Sequence, residues 1–196
     1  MSSPTAASGV PVVLFVGTSL TAGYGLTPEQ AYPALVQEKI DRAGLRYRVV
    51  NGGVSGETSA GASRRMSWLL QEPVAVLVVE TGANDGLRGQ DPEATRANIQ
   101  AIFDRARAQS PPPRLMLLGM QAPPNYGRDY VTRFRAVYPE LARRNGAVLV
   151  PFLLEGVAGV ADLNQPDGVH PTVEGQRRIA ETVWTHLRPL LTAPAG

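Results

Sequence analysis

Val12-Val13-Leu14-Phe15-Val16 is an unbroken apolar run that stops at Gly17-Thr18-Ser19-Leu20. A strand wetted on one face alternates apolar and polar residues, whereas a continuous run suits a strand covered on both faces, as in a parallel sheet flanked by helices. Tyr47 to Val50, Ala75 to Val79, Leu115 to Leu118 and Ala147 to Val150 repeat the pattern. Between these runs the spacing becomes helical. Thr27-Pro28-Glu29-Gln30 joins a capping hydroxyl, a proline suited to a first helical position and a glutamine able to reach back, ahead of Tyr32, Leu35, Val36 and Ile40 on one face. Ala62, Met66, Leu69 and Leu70 form a second stripe, and Asp91-Pro92-Glu93 opens a third that carries Ile99, Ile102, Phe103 and Ala106. Tyr130, Phe134, Val137 and Leu141 keep helical spacing across Pro139, which is expected to kink or break that helix. Ile179, Val183, Leu187 and Leu190 define a terminal helix. Strand followed by helix, repeated along the chain, predicts an α/β fold: a five-stranded parallel sheet with right-handed crossovers and helices on both faces. It is expected to form a single domain over residues 11–192, between a flexible N-terminal segment 1–10 and a flexible tail 193–196.

Composition narrows the chemistry. The chain has 196 residues, 43% of them hydrophobic, and no cysteine. A domain of this length buries roughly 70% of its unfolded surface and needs no disulfide or metal staple. Without cysteine there is no thiolate nucleophile and no thiolate zinc site. The 19 basic and 17 acidic side chains nearly balance, and the basic residues fall singly or in pairs rather than in a stripe, which argues against nucleic acid as a partner. No segment has the apolar length of a transmembrane helix, and Met1 to Gly9 is small and polar, unlike a signal peptide. The chain reads as soluble: periplasmic or secreted if a leader has been removed, cytoplasmic otherwise. Monomer and dimer stay open.

Ligands of parallel α/β sheets gather beyond the carboxyl ends of the strands. The residues just after the runs are Gly17-Thr18-Ser19-Leu20, Asn51-Gly52-Gly53-Val54-Ser55-Gly56-Glu57-Thr58 and Thr81-Gly82-Ala83-Asn84-Asp85-Gly86, with Asp167-Gly168-Val169-His170-Pro171 following the fifth. A serine at a strand end needs a base to become a nucleophile. Of the two histidines, His170 lies in a polar, turn-rich loop, with Asp167 placed to hold its ring, whereas His186 falls near an apolar helix face as a half-buried packing residue. The backbone N–H groups of Ser19 and Gly56 and the amide of Asn84 are candidate oxyanion donors. Asp85 reads as structural, and Gly52 and Gly53 as tight-turn residues. Gln121 to Tyr130 follows the fourth run to the same rim, where Pro123, Pro124 and Tyr126 suit a wall over an acyl chain. Tyr24, Leu26 and Phe152 to Val160 are further wall candidates.

In this order, G-T-S-L around Ser19, the glycine-rich loop ending at Gly56, G-A-N-D containing Asn84 and D-G-V-H containing His170 resemble the SGNH (GDSL-type) hydrolases over nearly the whole chain. V-S-G-E-T-S, G-A-N-D-G-L-R-G and A-P-P-N-Y-G-R-D-Y look more narrowly like the bacterial thioesterase I, lysophospholipase L1-like or arylesterase branch. The resemblance implies a flavodoxin-like three-layer αβα sandwich that hydrolyses esters and thioesters of acyl chains without metal or cofactor. It implies Ser19 as nucleophile, His170 as general base, Asp167 as its orienting partner, and Ser19, Gly56 and Asn84 as the oxyanion hole. The expected partner is a small-molecule acyl ester or thioester. One departure stands out: Thr18 occupies the place of the family's aspartate, so the support that carboxylate gives the loop is absent or comes from the threonine hydroxyl. The alternatives are a carbohydrate O-acetylesterase of the same family and a non-catalytic flavodoxin-like binding module; aromatic residues for sugar stacking are sparse at 6%.

Overall fold

The computed structural model describes residues 9–193. Apart from Gly9, Val10 and Ala193, the segments 1–10 and 193–196, for which flexible ends were expected, lie outside the described residues. Five strands, β1 (Val12–Gly17), β2 (Arg48–Gly53), β3 (Val76–Glu80), β4 (Arg114–Leu118) and β5 (Val148–Val150), form one parallel sheet in the order β2-β1-β3-β4-β5. The central strands β1 and β3 are buried along their whole length, as their continuous apolar runs require, while the edge strand β2 is partly exposed.

Among the described residues seven α-helices accompany the sheet: α1 (Ser19–Ala22), α2 (Tyr32–Arg42), α3 (Ser59–Leu69), α4 (Ala83–Leu87), α5 (Pro92–Arg107), α6 (Arg128–Asn145) and α7 (Val173–Thr192). α2 packs with α7, and α5 packs with both α3 and α6, so right-handed crossovers put the two groups on opposite faces and make three layers. The core lies between these layers, with Phe15, Leu77 and Met116 from the sheet meeting Tyr32, Phe103 and Phe134 from the helices. Among the described residues no helix is long and apolar enough to cross a membrane.

Three local expectations are corrected. The Thr27 to Gln30 signal closes a separate 3-10 turn, Pro28–Gln30, in which the Thr27 N–H donates to Gln30 Oε1 at 3.0 Å; α2 starts later, at Tyr32. Pro139 does not break α6, because its ring and Arg135, whose carbonyl loses its partner, are both exposed, and water can satisfy that carbonyl. Gly52 and Gly53 belong to β2 rather than to a turn: a Cβ on Gly53 would lie 2.3 Å from the Ala22 nitrogen, so Gly53 is small to let α1 approach the strand, while a Cβ on Gly52 would lie 2.7 Å from the Phe15 carbonyl oxygen of β1. The two short helices α1 and α4, each following a central strand, escape the periodicity because neither is long enough to show one.

Strand order reverses at β1, so a crevice opens beyond the carboxyl ends of β1 and β3. Ser19 and Asn84 emerge there.

Candidate active site

Ser19 is the first residue of α1, directly after β1 and the N-capping Thr18. In the first turn of a helix the backbone N–H groups have no intrahelical acceptor, which leaves that of Ser19 available to a ligand. Its hydroxyl oxygen lies 3.0 Å from His170 Nε2, and His170 Nδ1 lies 2.7 Å from Asp167 Oδ2. Asp167 Oδ1 also accepts the backbone N–H groups of Val169 and His170, each at 2.9 Å, so the loop is wound around its own carboxylate. The His170 N–H, the His170 ring and the Val169 N–H together hold that carboxyl down at about 2. Asp167 is therefore an anion throughout the neutral range, which keeps the proton on Nδ1 and turns Nε2, as an acceptor, toward the serine hydroxyl.

Gln165 joins the histidine loop to the serine side. Its N–H donates to the His170 carbonyl at 2.7 Å, and its side-chain amide donates to the carbonyls of Tyr24 at 2.7 Å and Pro171 at 2.9 Å. The Tyr24 ring rests against the imidazole, with centroids 4.4 Å apart and planes inclined at 36°. Tyr24 was expected only as a wall. Its stacking on the histidine depends on two loops meeting through Gln165, for which a linear pattern carries no signal.

Asn84, half-buried in α4, donates one amide hydrogen to the Glu57 carbonyl at 2.9 Å and keeps its second for another acceptor. Arg88 donates to the Gly56 carbonyl at 3.1 Å, so the loop bearing Gly56 is tied from two points on the β3 side. Gly56 has φ +77°, a left-handed conformation that favours glycine. Asp85 is structural, as expected: fully buried, it accepts from the Ser59 N–H at 2.9 Å and the Ser59 hydroxyl at 2.5 Å, fixing the start of α3 against α4. His186 is half-buried in α7 with Nδ1 2.9 Å from the Thr182 carbonyl, away from the site.

Ser19, Asn84 and His170 line one cavity of about 500 Å³ with Pro123, Pro124 and Leu154. Tyr126 is not among the residues lining it: its hydroxyl donates to the Leu87 carbonyl at 2.8 Å and its ring packs on Tyr130, so it backs Leu87, which does line the cavity. Of the segment Phe152 to Val160, Phe152, Leu154 and Ala158 face the cavity, while Leu153 and Val157 are core.

Comparison with known proteins identifies the family. The GDSL-like Lipase/Acylhydrolase family matches residues 15–178, a span that runs from β1 into α7. The chain belongs to this family. Esterase TesA of Pseudomonas aeruginosa is 43% identical over 188 residues, covering 95% of this chain and 92% of the relative. Thioesterase 1/protease 1/lysophospholipase L1 of Escherichia coli is 37% identical over 186 residues, covering 94% of this chain and 87% of the relative. A crystal structure of TesA superposes with a TM-score of 0.87 at 44% identity, covering 92% of this chain and 99% of the other. Membership makes this GDSL-like chain a hydrolase acting on ester bonds.

The largest omission from the linear pattern is Glu80. It closes the apolar run of β3 and is fully buried beneath α1, within hydrogen-bond distance of Thr18 and Thr21. Its one sequence signal is a charged residue at the end of a strand covered on both faces.

Proposed function

We infer that the chain hydrolyses carboxylic esters and thioesters of acyl substrates through an acyl-enzyme on Ser19. Ser19 Oγ attacks the acyl carbonyl while His170 Nε2 takes its proton, and the imidazolium then gives that proton to the departing alcohol or thiol. Water attacks the acyl-enzyme by the same route, releasing the carboxylic acid and returning the proton to Ser19. Asp167 holds the ring in the required tautomer and stabilises the imidazolium. The N–H groups of Ser19 and Gly56 and the free amide hydrogen of Asn84 serve the oxyanion.

The observation that carries this reading is the unbroken line Ser19 Oγ, His170, Asp167 at the wall of an apolar cavity. The names of the relatives, an esterase and a thioesterase/lysophospholipase, support the substrate class. The cavity's size suits a small acyl substrate, and its proline and aliphatic walls, with Phe152 and His170 the aromatic members, favour an acyl chain over a sugar ring. A fluorophosphonate probe should label Ser19 of the folded protein, and Ser19→Ala should abolish labelling and turnover of a chromogenic short-acyl ester. Full activity in that variant would sink the mechanism.

A further inference from the structure

Beneath Ser19 lies a carboxylate that this acyl-transfer scheme does not use. Glu80 Oε2 accepts the Thr18 backbone N–H at 2.8 Å and the Thr21 hydroxyl at 2.8 Å, and the Thr18 hydroxyl lies 3.0 Å from both carboxylate oxygens. Tyr32 of α2 extends the chain, its hydroxyl 2.7 Å from Thr21 Oγ1; with Thr21 donating to Glu80, the phenol donates to Thr21. The space is shaped for this contact. A Cβ on Gly17 would stand 1.9 Å from Thr21 Oγ1 and 2.8 Å from Glu80 Oε2, so β1 has to end in glycine for the carboxylate to reach the turn.

Three donors from one short turn converge on two oxygens, a demand that an acceptor-only group meets and an amide, which brings two donors of its own, does not. The donors are neutral, and burial pushes the Glu80 carboxyl up to about 7 against their opposing pull. The other titratable groups facing it are the Tyr32 phenol from α2 and the Tyr138 phenol from α6. Burial first, and nearby carboxylates after it, push both well above the ordinary phenol value, so both stay neutral. The remaining neighbours, Gly17 of β1, Thr21 of α1 and the β4 partner Leu118, do not titrate.

We propose that Glu80 is a positioning residue for the nucleophile: by gripping Thr18 and Thr21, on either side of Ser19, it fixes the turn that presents Ser19 Oγ to His170. The proposal rests on Ser19 being the nucleophile. It also accounts for Thr18. Where the family carries aspartate, this chain places a hydroxyl that donates to Glu80 instead of a second carboxylate that would repel it.

The test measures two quantities in wild type, Glu80→Gln and Thr18→Val: the rate at which a fluorophosphonate labels Ser19, and kcat and KM on a chromogenic short-acyl ester. Glu80→Gln should slow labelling and kcat about 10- to 100-fold, the scale of a small misplacement of a reacting atom, with KM changed less than about 3-fold. Thr18→Val keeps the backbone donor and should cost about 3- to 10-fold in both rates. Protonated Glu80 becomes a donor and releases part of the turn, so wild-type kcat should fall on acidification near pH 7 by a component that Glu80→Gln lacks, beyond the pH dependence that the general base imposes on both proteins. A folded Glu80→Gln with unchanged labelling rate and an unchanged pH profile overturns the positioning role. If that variant does not fold, Thr18→Val decides, and wild-type rates there overturn it. Failure of wild type to label at Ser19 overturns the nucleophile assignment and this proposal with it, whereas wild-type labelling with indifferent variants overturns the proposal alone.

Discussion

Glu80, under Ser19, and Asp167, behind His170, are carboxylates in opposite surroundings. Glu80 is fully buried among β1, β3 and α2, and the loss of solvation pushes it up to about 7. Asp167 is exposed, and the backbone N–H and ring of His170, followed by the Val169 N–H, hold it down at about 2. One is placed by the packing of the whole sheet and the other by four residues of its own loop. Pre-organisation of the serine half is thus inseparable from the core, while that of the histidine half is local. Substitutions on the histidine side should change rate without changing stability, and those under the serine should change both.

The largest effect belongs to the histidine side. His170→Ala should lower kcat/KM at least about 1,000-fold while leaving the thermal midpoint within a degree or two of wild type. No second imidazole is placed to substitute, because His186 is held in α7 against the Thr182 carbonyl. A substantial residual rate, or a protein that melts early, would break the contrast. Asp167→Ala should cost about 100-fold or more in kcat through loss of the ring's tautomer and orientation, again without a change in thermal midpoint. Asp167 is lowered, so linkage places its contribution to stability above the ordinary carboxylate range and removes it as pH falls through about 2, but solvent screens this exposed group and keeps that contribution small.

Glu80 has the opposite sign. Its native-state value is raised, so its contribution to stability is fully present below the ordinary carboxylate value of 4.5 and is lost as pH rises through about 7. Relative to wild type, Glu80→Gln should therefore gain on the order of 1–3 kcal/mol of stability between pH 5 and 8, even as it loses activity. Urea unfolding of both proteins at several pH values checks this. Parallel curves would show that Glu80 carries no desolvated charge, and the two halves of the site would then differ less than their surroundings imply.

The same contrast governs what was legible in the chain. Ser19, Asn84, Asp167 and His170 each sit at a strand end or turn in a residue type that the chemistry demands, so their placement, together with the family resemblance of the motifs around them, suggested the site. The central strands were legible for a related reason: burial on both faces leaves an unbroken apolar run, as in Val12 to Val16. Glu80 was not legible, because its partner Thr18 lies 62 residues away and nothing in Val76–Glu80 shows that the last side chain turns beneath α1. Tyr126 shows the same limit from the other side. Its loop was placed at the rim, but whether its ring faces the cavity or the back of Leu87 depends on side-chain direction.

The smallest test concerns Tyr24, where the two halves touch. Its backbone continues from α1 on the serine side, its carbonyl accepts from Gln165 of the histidine loop, and its ring lies 4.4 Å from the imidazole. In the proposed acyl transfer that imidazole becomes a cation, and an aromatic face beside it contributes about 0.5–1 kcal/mol when, as here, the ring is partly exposed. Tyr24→Leu should consequently lower kcat about 2- to 5-fold, while Tyr24→Phe, which keeps the ring and loses only the hydroxyl, should stay near the wild-type rate. Equal losses in the two variants would assign the effect to the hydroxyl instead. No loss in either would mean that the Gln165 bridge alone couples the buried half of the site to the exposed one.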